Sequence, residues 1–177
     1  MLTHPGRMDG PSVLGGTVTY LHLTKVLPEV LEAAPVDVEL VDVSSSPLAY
    51  FASLERIWGL GEGFATIEHD VVWRPDIEHA FEACEHPWCT FVYSDICHPE
   101  PYEDRLGWHP SCREAYRDQL GCTRFRRELV RAVPDAVSAI AEPLRHWARV
   151  NEGLGANLRA QGFGHHWHEP AVRHLHK

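Results

Sequence analysis

The chain of 177 residues is long enough for one domain with a buried core and too short for two full domains. Its hydrophobic content of 44% and charged content of 23% are those of a folded globular protein, which excludes wholesale disorder and collagen-like structure. The net charge of -9 disfavours a dedicated nucleic-acid clamp, because binding a duplex requires a basic face.

The sequence also bears on the compartment and on the state of the cysteines. No apolar run reaches the roughly 18 to 20 residues of a membrane-spanning helix, and the N-terminus lacks a basic segment followed by an apolar signal core. We therefore expect a cytoplasmic protein with no membrane span. The five cysteines are odd in number, so reduced thiols are expected rather than a disulfide framework.

Predicted strands and helices alternate after a Gly- and Pro-rich stretch that predicts a flexible N-terminal arm at 1–16. Apolar and β-branched runs predict strands at 17–23, 36–43, 64–67 and 88–93. Apolar residues at helical spacing and prolines in first turns predict helices at 28–34, 47–60 and 76–84. This order predicts an α/β fold with a mostly parallel central sheet, so ligands are expected at the carboxyl ends of its strands.

The second half of the chain is less regular. The Pro-rich, acidic stretch at 94–107 predicts a long loop near the mouth of a site. Helices are predicted at 113–120, 126–132 and 144–161, and Gly162 ends the last of them. Five of the 13 histidines follow within residues 165–177, which predicts a solvated or metal-binding tail.

Two carboxylates stand at the end of the third predicted strand. Glu68 and Asp70 are two residues apart, so in an extended strand both side chains face the same way. Paired oxygen donors of this kind hold Mg²⁺ or Mn²⁺, and the ion can in turn bridge a pyrophosphate. The alternative is a solvated acidic end of a strand. The sequence has neither a P-loop nor a Gly-rich dinucleotide motif after a strand, which disfavours kinase and dinucleotide-binding functions.

This acidic motif, which follows a β-α-β-α-β start, resembles that of nucleotide-sugar-dependent glycosyltransferases of the GT-A fold. The resemblance extends over residues 17–177 as an ordered set of motifs. It implies one Rossmann-like, three-layer GT-A domain, with a nucleotide-binding half at 17–93 and an acceptor half at 94–177 that ends in a metal-binding tail. The implied activity is the transfer of a sugar from a UDP-sugar or GDP-sugar to an acceptor, with Mn²⁺ or Mg²⁺ as the cofactor.

The resemblance implies roles for individual residues. Asp70 is expected to bind the metal and to act in catalysis, and Glu68 to contact the metal, its bound water or the ribose. The segment Leu120-Gly121-Cys122-Thr123 resembles the glycine loop that precedes the acceptor-side helix of the family. A C-terminal histidine that returns to the metal corresponds to His174, and His176 is the next choice.

The catalytic base and the nucleotide contacts are less well marked. Glu152 corresponds to the acidic start of a family helix and is the candidate base, while Asn151 occupies a place where an acid is expected. Inversion or retention at the anomeric carbon therefore stays open. Tyr20 is a candidate for stacking on the nucleotide base and Arg74 for contact with a phosphate. The alternatives are a core tyrosine and an arginine in a surface ion pair.

Two alternatives belong to other classes of protein. One is a zinc-binding structural or interaction domain that uses the cysteines and histidines Cys84, His86, Cys89, Cys97, His98, His109 and Cys112. Only Cys84-x4-Cys89 has the spacing of a zinc knuckle, and burial of both thiols as small apolar side chains is the simpler interpretation. The other is a non-catalytic module that binds a sugar nucleotide. The acceptor stays open among small molecules, glycans, proteins and modified nucleic-acid bases, as does the oligomeric state.

Overall fold

The computed structural model describes residues 17–25, 27–93 and 120–175. These residues contain seven strands: β1 (Val18–Leu23), β2 (Glu39–Asp42), β3 (Phe64–Glu68), β4 (Val71–Val72), β5 (Trp88–Tyr93), β6 (Cys122–Phe125) and β7 (His165–His174). They also contain five α-helices: α1 (Pro28–Ala33), α2 (Ala49–Trp58), α3 (Pro75–Ala83), α4 (Arg127–Ala132) and α5 (Val150–Ala160).

The strands form one mixed sheet in the order β2-β1-β3-β6-β5-β7-β4. β1 pairs in parallel with β2 and β3, and β5 pairs in parallel with β7. β6 is antiparallel to both of its neighbours, β3 and β5, and β4 is antiparallel to β7. Five of the seven strands therefore run in one direction, while β6 and β4 run in the other. The predicted α/β class with a mostly parallel sheet is confirmed at this level.

The first half of the chain follows its sequence pattern closely. Helices α1 and α3 begin at Pro28 and Pro75, where the fixed φ of proline suits a first helical turn and its missing N–H costs no hydrogen bond. In α2 the apolar stripe of Phe51, Leu54 and Trp58 is buried. These elements lie within a few residues of their predicted bounds.

Two apolar cores cover the two faces of the sheet, because side chains alternate along each strand. In β3, Phe64 packs into the first core, under α2, α4 and α5, whereas Ala65 and Ile67 pack into the second, under α1 and α3. The first core also contains the indole of Trp58, whose Nε1 donates a hydrogen bond of 2.8 Å to the carbonyl oxygen of Val133. The sheet is thus covered on both faces, as three-layer packing requires.

Two predictions for the second half were wrong. The helix predicted at 144–161 begins only at Val150, because a short 3-10 helix (Glu142–Leu144) and the non-helical backbone of Arg149 precede it. Trp147, which lies within the predicted range, comes before the helix and is 61% exposed. The histidine-rich segment predicted as a tail forms the ten-residue strand β7, which pairs with β5 and β4.

Some predicted features lie outside the described residues. They are the flexible arm at 1–16, the loop at 94–107, the helix at 113–120 apart from Leu120, and the candidate ligand His176. Within the part of the chain that the structure describes, none of the helices has the length and apolar character needed to cross a bilayer.

Candidate functional site

The candidate site lies at the carboxyl edge of the sheet, where β3 ends at Glu68 and a turn through His69 and Asp70 leads into β4. β4 pairs with the end of β7, with Val71 opposite His174. The backbone N–H of Leu175 donates a hydrogen bond of 2.7 Å to the carbonyl oxygen of Asp70. This pairing holds the last described residues of the chain against the acidic turn.

Asp70 and His174 are in direct contact. The Nε2 atom of His174 lies 3.2 Å from Oδ2 of Asp70, and the Nε2 atom of His69 lies 3.7 Å from the same oxygen. The three side chains are largely buried, with exposed fractions of 11% for His174, 19% for Asp70 and 22% for His69. The second carboxylate oxygen of Asp70, Oδ1, is also buried and has no hydrogen-bond partner among the described residues.

The surroundings keep Asp70 ionised. Burial works to raise the pKa of its carboxyl group, but the hydrogen bond and charge of His174, aided by His69, outweigh burial and lower the pKa below its ordinary value. The pKa of His69 is lowered, mainly by burial, although the charge of Asp70 opposes this change. At neutral pH the turn therefore presents the carboxylate of Asp70 beside the neutral imidazole of His69, and a metal bound by His174 would require that imidazole to be neutral as well.

Glu68 is placed differently from Asp70. β3 ends at Glu68, so the alternation of side chains along a strand does not extend to Asp70. The prediction that both carboxylates face the same way assumed a strand that continues to Asp70. Glu68 lies beside Tyr50 of α2, whose pKa is raised well above its ordinary value by burial first and then by the charge and hydrogen bonding of Glu68. Glu68 and Asp70 thus border the site from two sides.

The two predicted nucleotide contacts lie elsewhere. The ring of Tyr20 is 4% exposed and packs edge-on against Phe64 in the first core, at a centroid distance of 6.1 Å. Arg74 donates two hydrogen bonds to Asp76, from Nε at 3.0 Å and from Nη2 at 2.8 Å, and its guanidinium lies 5.9 Å from the ring centroid of Phe91. Among the described residues, neither the side chain of Tyr20 nor that of Arg74 contacts Asp70.

The candidate base lies at the start of α5. The backbone N–H of Trp147 donates a hydrogen bond of 3.0 Å to the carbonyl oxygen of Pro47, in the loop after β2, so α5 begins near the carboxyl edge of the sheet. Glu152 is half-exposed there and pairs with Arg149 at 3.0 Å. The neighbouring Asn151 has a buried side-chain oxygen without a hydrogen-bond partner in the described parts of the chain.

A second cluster of ligand-type side chains lies on the other half of the sheet. The ligand atoms of Cys84, Cys89 and His168 all lie within 4.8 Å of one another. Cys84 and Cys89 are 7% and 0% exposed, and Nε2 of His168 is buried without a hydrogen-bond partner in the described residues. The sequence singled out the two cysteines but not His168, because its approach depends on β7. Of the remaining residues of the predicted zinc cluster, His86 stacks on His166, and those at 97, 98, 109 and 112 lie outside the described residues.

A cleft of about 380 Å³ opens at the opposite, amino edge of the sheet. Thr17 before β1 and Gly63 before β3 line it, together with charged side chains that include Arg126, Arg127 and Glu128. None of the carboxyl-edge residues Glu68, Asp70 and His174 lines this cleft.

Comparisons of the chain with protein-family models, with curated proteins and with solved structures find no match. The residues and geometry of the two clusters are therefore the basis for assigning a function.

Proposed function

We propose that the chain is a metal-dependent glycosyltransferase that takes its sugar from a UDP-sugar or GDP-sugar, with Asp70 and His174 as ligands of Mn²⁺ or Mg²⁺. The observation that supports this most directly is the 3.2 Å contact between Nε2 of His174 and Oδ2 of Asp70. The two residues are distant in sequence, and both correspond to metal ligands in the resemblance to the GT-A family. A Rossmann-like GT-A fold is part of this proposal.

The donor set fits a divalent ion. An ionised carboxylate and a neutral imidazole suit Mn²⁺ and, with waters, Mg²⁺. The buried Oδ1 atom of Asp70 lacks a partner among the described residues, and a bound cation would satisfy it. A divalent ion held there supplies the positive charge that stabilises a departing nucleoside diphosphate. The net charge of -9 does not oppose this ligand, because the diphosphate arrives with its cation.

The protein's own groups divide the remaining tasks. Glu68 borders the site beside Tyr50, where its carboxylate contacts the ribose or a metal-bound water. Glu152 is the base that accepts the proton of the acceptor hydroxyl. Because its side chain is half-exposed, it can break its ion pair with Arg149 to do so.

Nucleotide binding tests this proposal on chain stripped of metal by a chelator. UDP, GDP, ADP and CDP are each added with and without Mn²⁺, and thermal unfolding is followed. One of UDP or GDP is expected to stabilise the chain only with Mn²⁺, by about 2.7 kcal/mol at a hundred times its dissociation constant. The stabilisation is expected to disappear in Asp70→Asn and to persist in Asp135→Asn, a control at an exposed aspartate. A shift that survives Asp70→Asn contradicts the assignment.

A non-catalytic sugar-nucleotide-binding module is the second candidate, and the position of Glu152 favours it over other classes. Glu152 is engaged with Arg149, and the neighbouring position carries Asn151 in place of an acid. Release of UDP or GDP from its sugar by the purified chain separates the two functions. Metal-dependent binding with no release, across donors and acceptors, would identify a binding module, whereas release that Asp70→Asn abolishes would identify the transferase.

A further inference from the structure

We infer that Cys84, Cys89, His168 and His166 form a second metal site that holds Zn²⁺ in a structural role, separate from the acidic turn at Asp70. Three of these four residues already place their ligand atoms within 4.8 Å of one another. Two cysteines and two histidines make a donor set that closes a tetrahedral zinc site without a water ligand.

The register of β5 and β7 puts three of the four residues on one face of the sheet. These strands are parallel, with Cys89 opposite His166 and Phe91 opposite His168. Side chains at paired positions share a face of the sheet, so both histidines lie on the face that carries Cys89. On the opposite face, His165 stacks on Trp88 at a centroid distance of 4.0 Å. Because side chains alternate along β7, His166 and His168 lie on the face of the proposed metal site, whereas His165 lies on the other face and packs on Trp88.

The distances require only small adjustments. Zinc bonds of about 2.3 Å to sulfur and about 2.0 Å to nitrogen place tetrahedral ligand atoms roughly 3.5 to 3.8 Å apart. The observed upper limit of 4.8 Å for Cys84, Cys89 and His168 is about 1 Å from this spacing. His166 contacts His168 at a centroid distance of 4.8 Å, and its role as the fourth ligand requires a rotation of its side chain. His86 stacks on His166 at 4.3 Å and supports that ring.

Burial supplies an observation that is independent of the cysteines. His168 packs against two aromatic rings, stacked on Phe91 at 4.9 Å and edge-on to Phe81 at 6.0 Å. In this apolar setting its Nε2 atom is buried and has no hydrogen-bond partner in the described residues. A buried imidazole nitrogen without a partner is costly, and a metal ion bound by His168 and the two neighbouring thiols would remove this cost if Nε2 is the ligand atom.

The backbone around the cluster is held in place by two arginines. Arg124 donates a hydrogen bond of 2.8 Å to the carbonyl oxygen of Cys84 and one of 3.3 Å to that of His86, and Arg126 also donates to the carbonyl oxygen of Cys84. Burial raises the pKa of the Cys89 thiol to about 12, although the charge of Arg124 opposes this change, so deprotonation of this thiol would depend on the bound ion. Binding of Zn²⁺ displaces the two thiol protons to solvent, so two thiolates balance the charge of the ion.

The metal would join the end of α3 and the start of β5 to the start of β7. The other end of β7 carries His174 to Asp70, so the zinc site would fix the strand that completes the carboxyl-edge site. The zinc site does not depend on the proposed transferase activity, because none of its ligands takes part in the acidic turn.

Metal analysis of the full chain, purified without a histidine tag and dialysed against a weak chelator, tests the inference. One zinc per chain is expected in the wild type. After stripping, Co²⁺ is expected to give the visible bands of tetrahedral cobalt together with near-ultraviolet absorption from thiolate to cobalt. No bound zinc and no thiolate–cobalt absorption in the wild type would overturn the inference, and this result does not depend on the folding of any variant.

Variants then separate this site from others. Cys89→Ser and His168→Asn are expected to lose the zinc, and His166→Asn to weaken its retention, with circular dichroism checking the fold. Cys122→Ala is the matched control, since this cysteine is also fully buried but lies outside the cluster. Asp70→Asn is expected to keep the thiolate–cobalt absorption. The assignment would be contradicted if Cys89→Ser and His168→Asn both retained one zinc per chain. It would also be contradicted if Cys122→Ala and Asp70→Asn both lost the zinc.

Discussion

The imidazole of His174 meets the carboxylate of Asp70 at 3.2 Å although the two residues come from distant parts of the chain. The contact depends on the short antiparallel pairing of β4 with β7, which puts Val71 opposite His174 immediately after the acidic turn. A strand of only two residues has little stability of its own, so the contacts of β7 with β5 determine where the histidine lies.

A double-mutant cycle on Asp70 and His174 is the sharpest test of a shared ligand. His174→Asn is expected to weaken Mn²⁺ binding by at least about 10-fold, since even loss of a group that only supports a ligand costs that much. If both residues bind one ion, Asp70→Asn and the double variant should bind Mn²⁺ equally weakly, because the effects of coupled residues do not add. Calorimetric titration measures this, with the exposed His79→Asn as control. Additive losses would mean that the two residues do not share an ion.

Glu152→Gln tests the assignment of the base. The substitution keeps the shape of the side chain and removes the group that accepts a proton, so kcat is expected to fall about 10²- to 10⁴-fold. Binding of the nucleotide with Mn²⁺ is expected to stay unchanged, because Glu152 pairs with Arg149 and not with the acidic turn. Glu128→Gln, in the first turn of α4, provides a matched control. An unchanged kcat in Glu152→Gln would exclude this residue as the base.

The sequence predicted the first half of the fold better than the second for a physical reason. In α2 the apolar side chains recur with the helical period, and in β3 an apolar run ends in polar residues, so each local pattern carries its own structure. β7 has no such pattern: three of its first four residues are histidines, and it contains a proline. Its strand conformation comes from pairing with β5 and β4, which no local pattern encodes.

The same distinction applies to the two clusters. Asp70 was identifiable because it lies directly after an apolar strand, and His174 because the family resemblance includes a late histidine. The approach of His168 to Cys84 and Cys89 was not identifiable, because it follows from the register of two strands that are far apart in sequence. Contacts that depend on the register of pairing lie beyond what periodicity alone can show.

Gly153→Ala tests the packing that positions α5. A Cβ atom at this position would lie 2.6 Å from Cγ2 of Ile140, a methyl carbon on the branched Cβ, whose restricted χ1 keeps it from moving away freely. Overpacking is expected to lower the free energy of unfolding by about 1 to 3 kcal/mol, which exceeds the gain of about 1 kcal/mol from the higher helix propensity of alanine. Chemical denaturation measures the loss, with Gly164→Ala as control, since its added Cβ would meet nothing within 4 Å. A more stable Gly153→Ala would contradict this packing.

The stability of the protein in acid is expected to depend on His22, which is 1% exposed. Its Nε2 atom lies 3.1 Å from Oγ of Ser53, and its ring packs edge-on against Tyr50. Burial, aided by the charge of Arg56, lowers the pKa of His22 to about 3. In the unfolded chain the pKa is about 6.5, so between about pH 6.5 and about pH 3 the unfolded chain binds the additional proton. The free energy of unfolding therefore falls as the pH falls through this window, by about 1.4 kcal/mol per pH unit from this group.

Urea denaturation of the wild type and of His22→Gln at pH 7, 6 and 5 isolates this contribution, because other buried histidines titrate alike in both proteins. Above about pH 6.5 the difference between the two free energies of unfolding is expected to be constant. Below it, the wild type should lose stability faster than the variant, and the difference should shrink toward zero or reverse. The exposed His79→Gln should instead follow the wild type at every pH. A difference that stays constant from pH 7 to pH 5 would mean that His22 is not held neutral by burial.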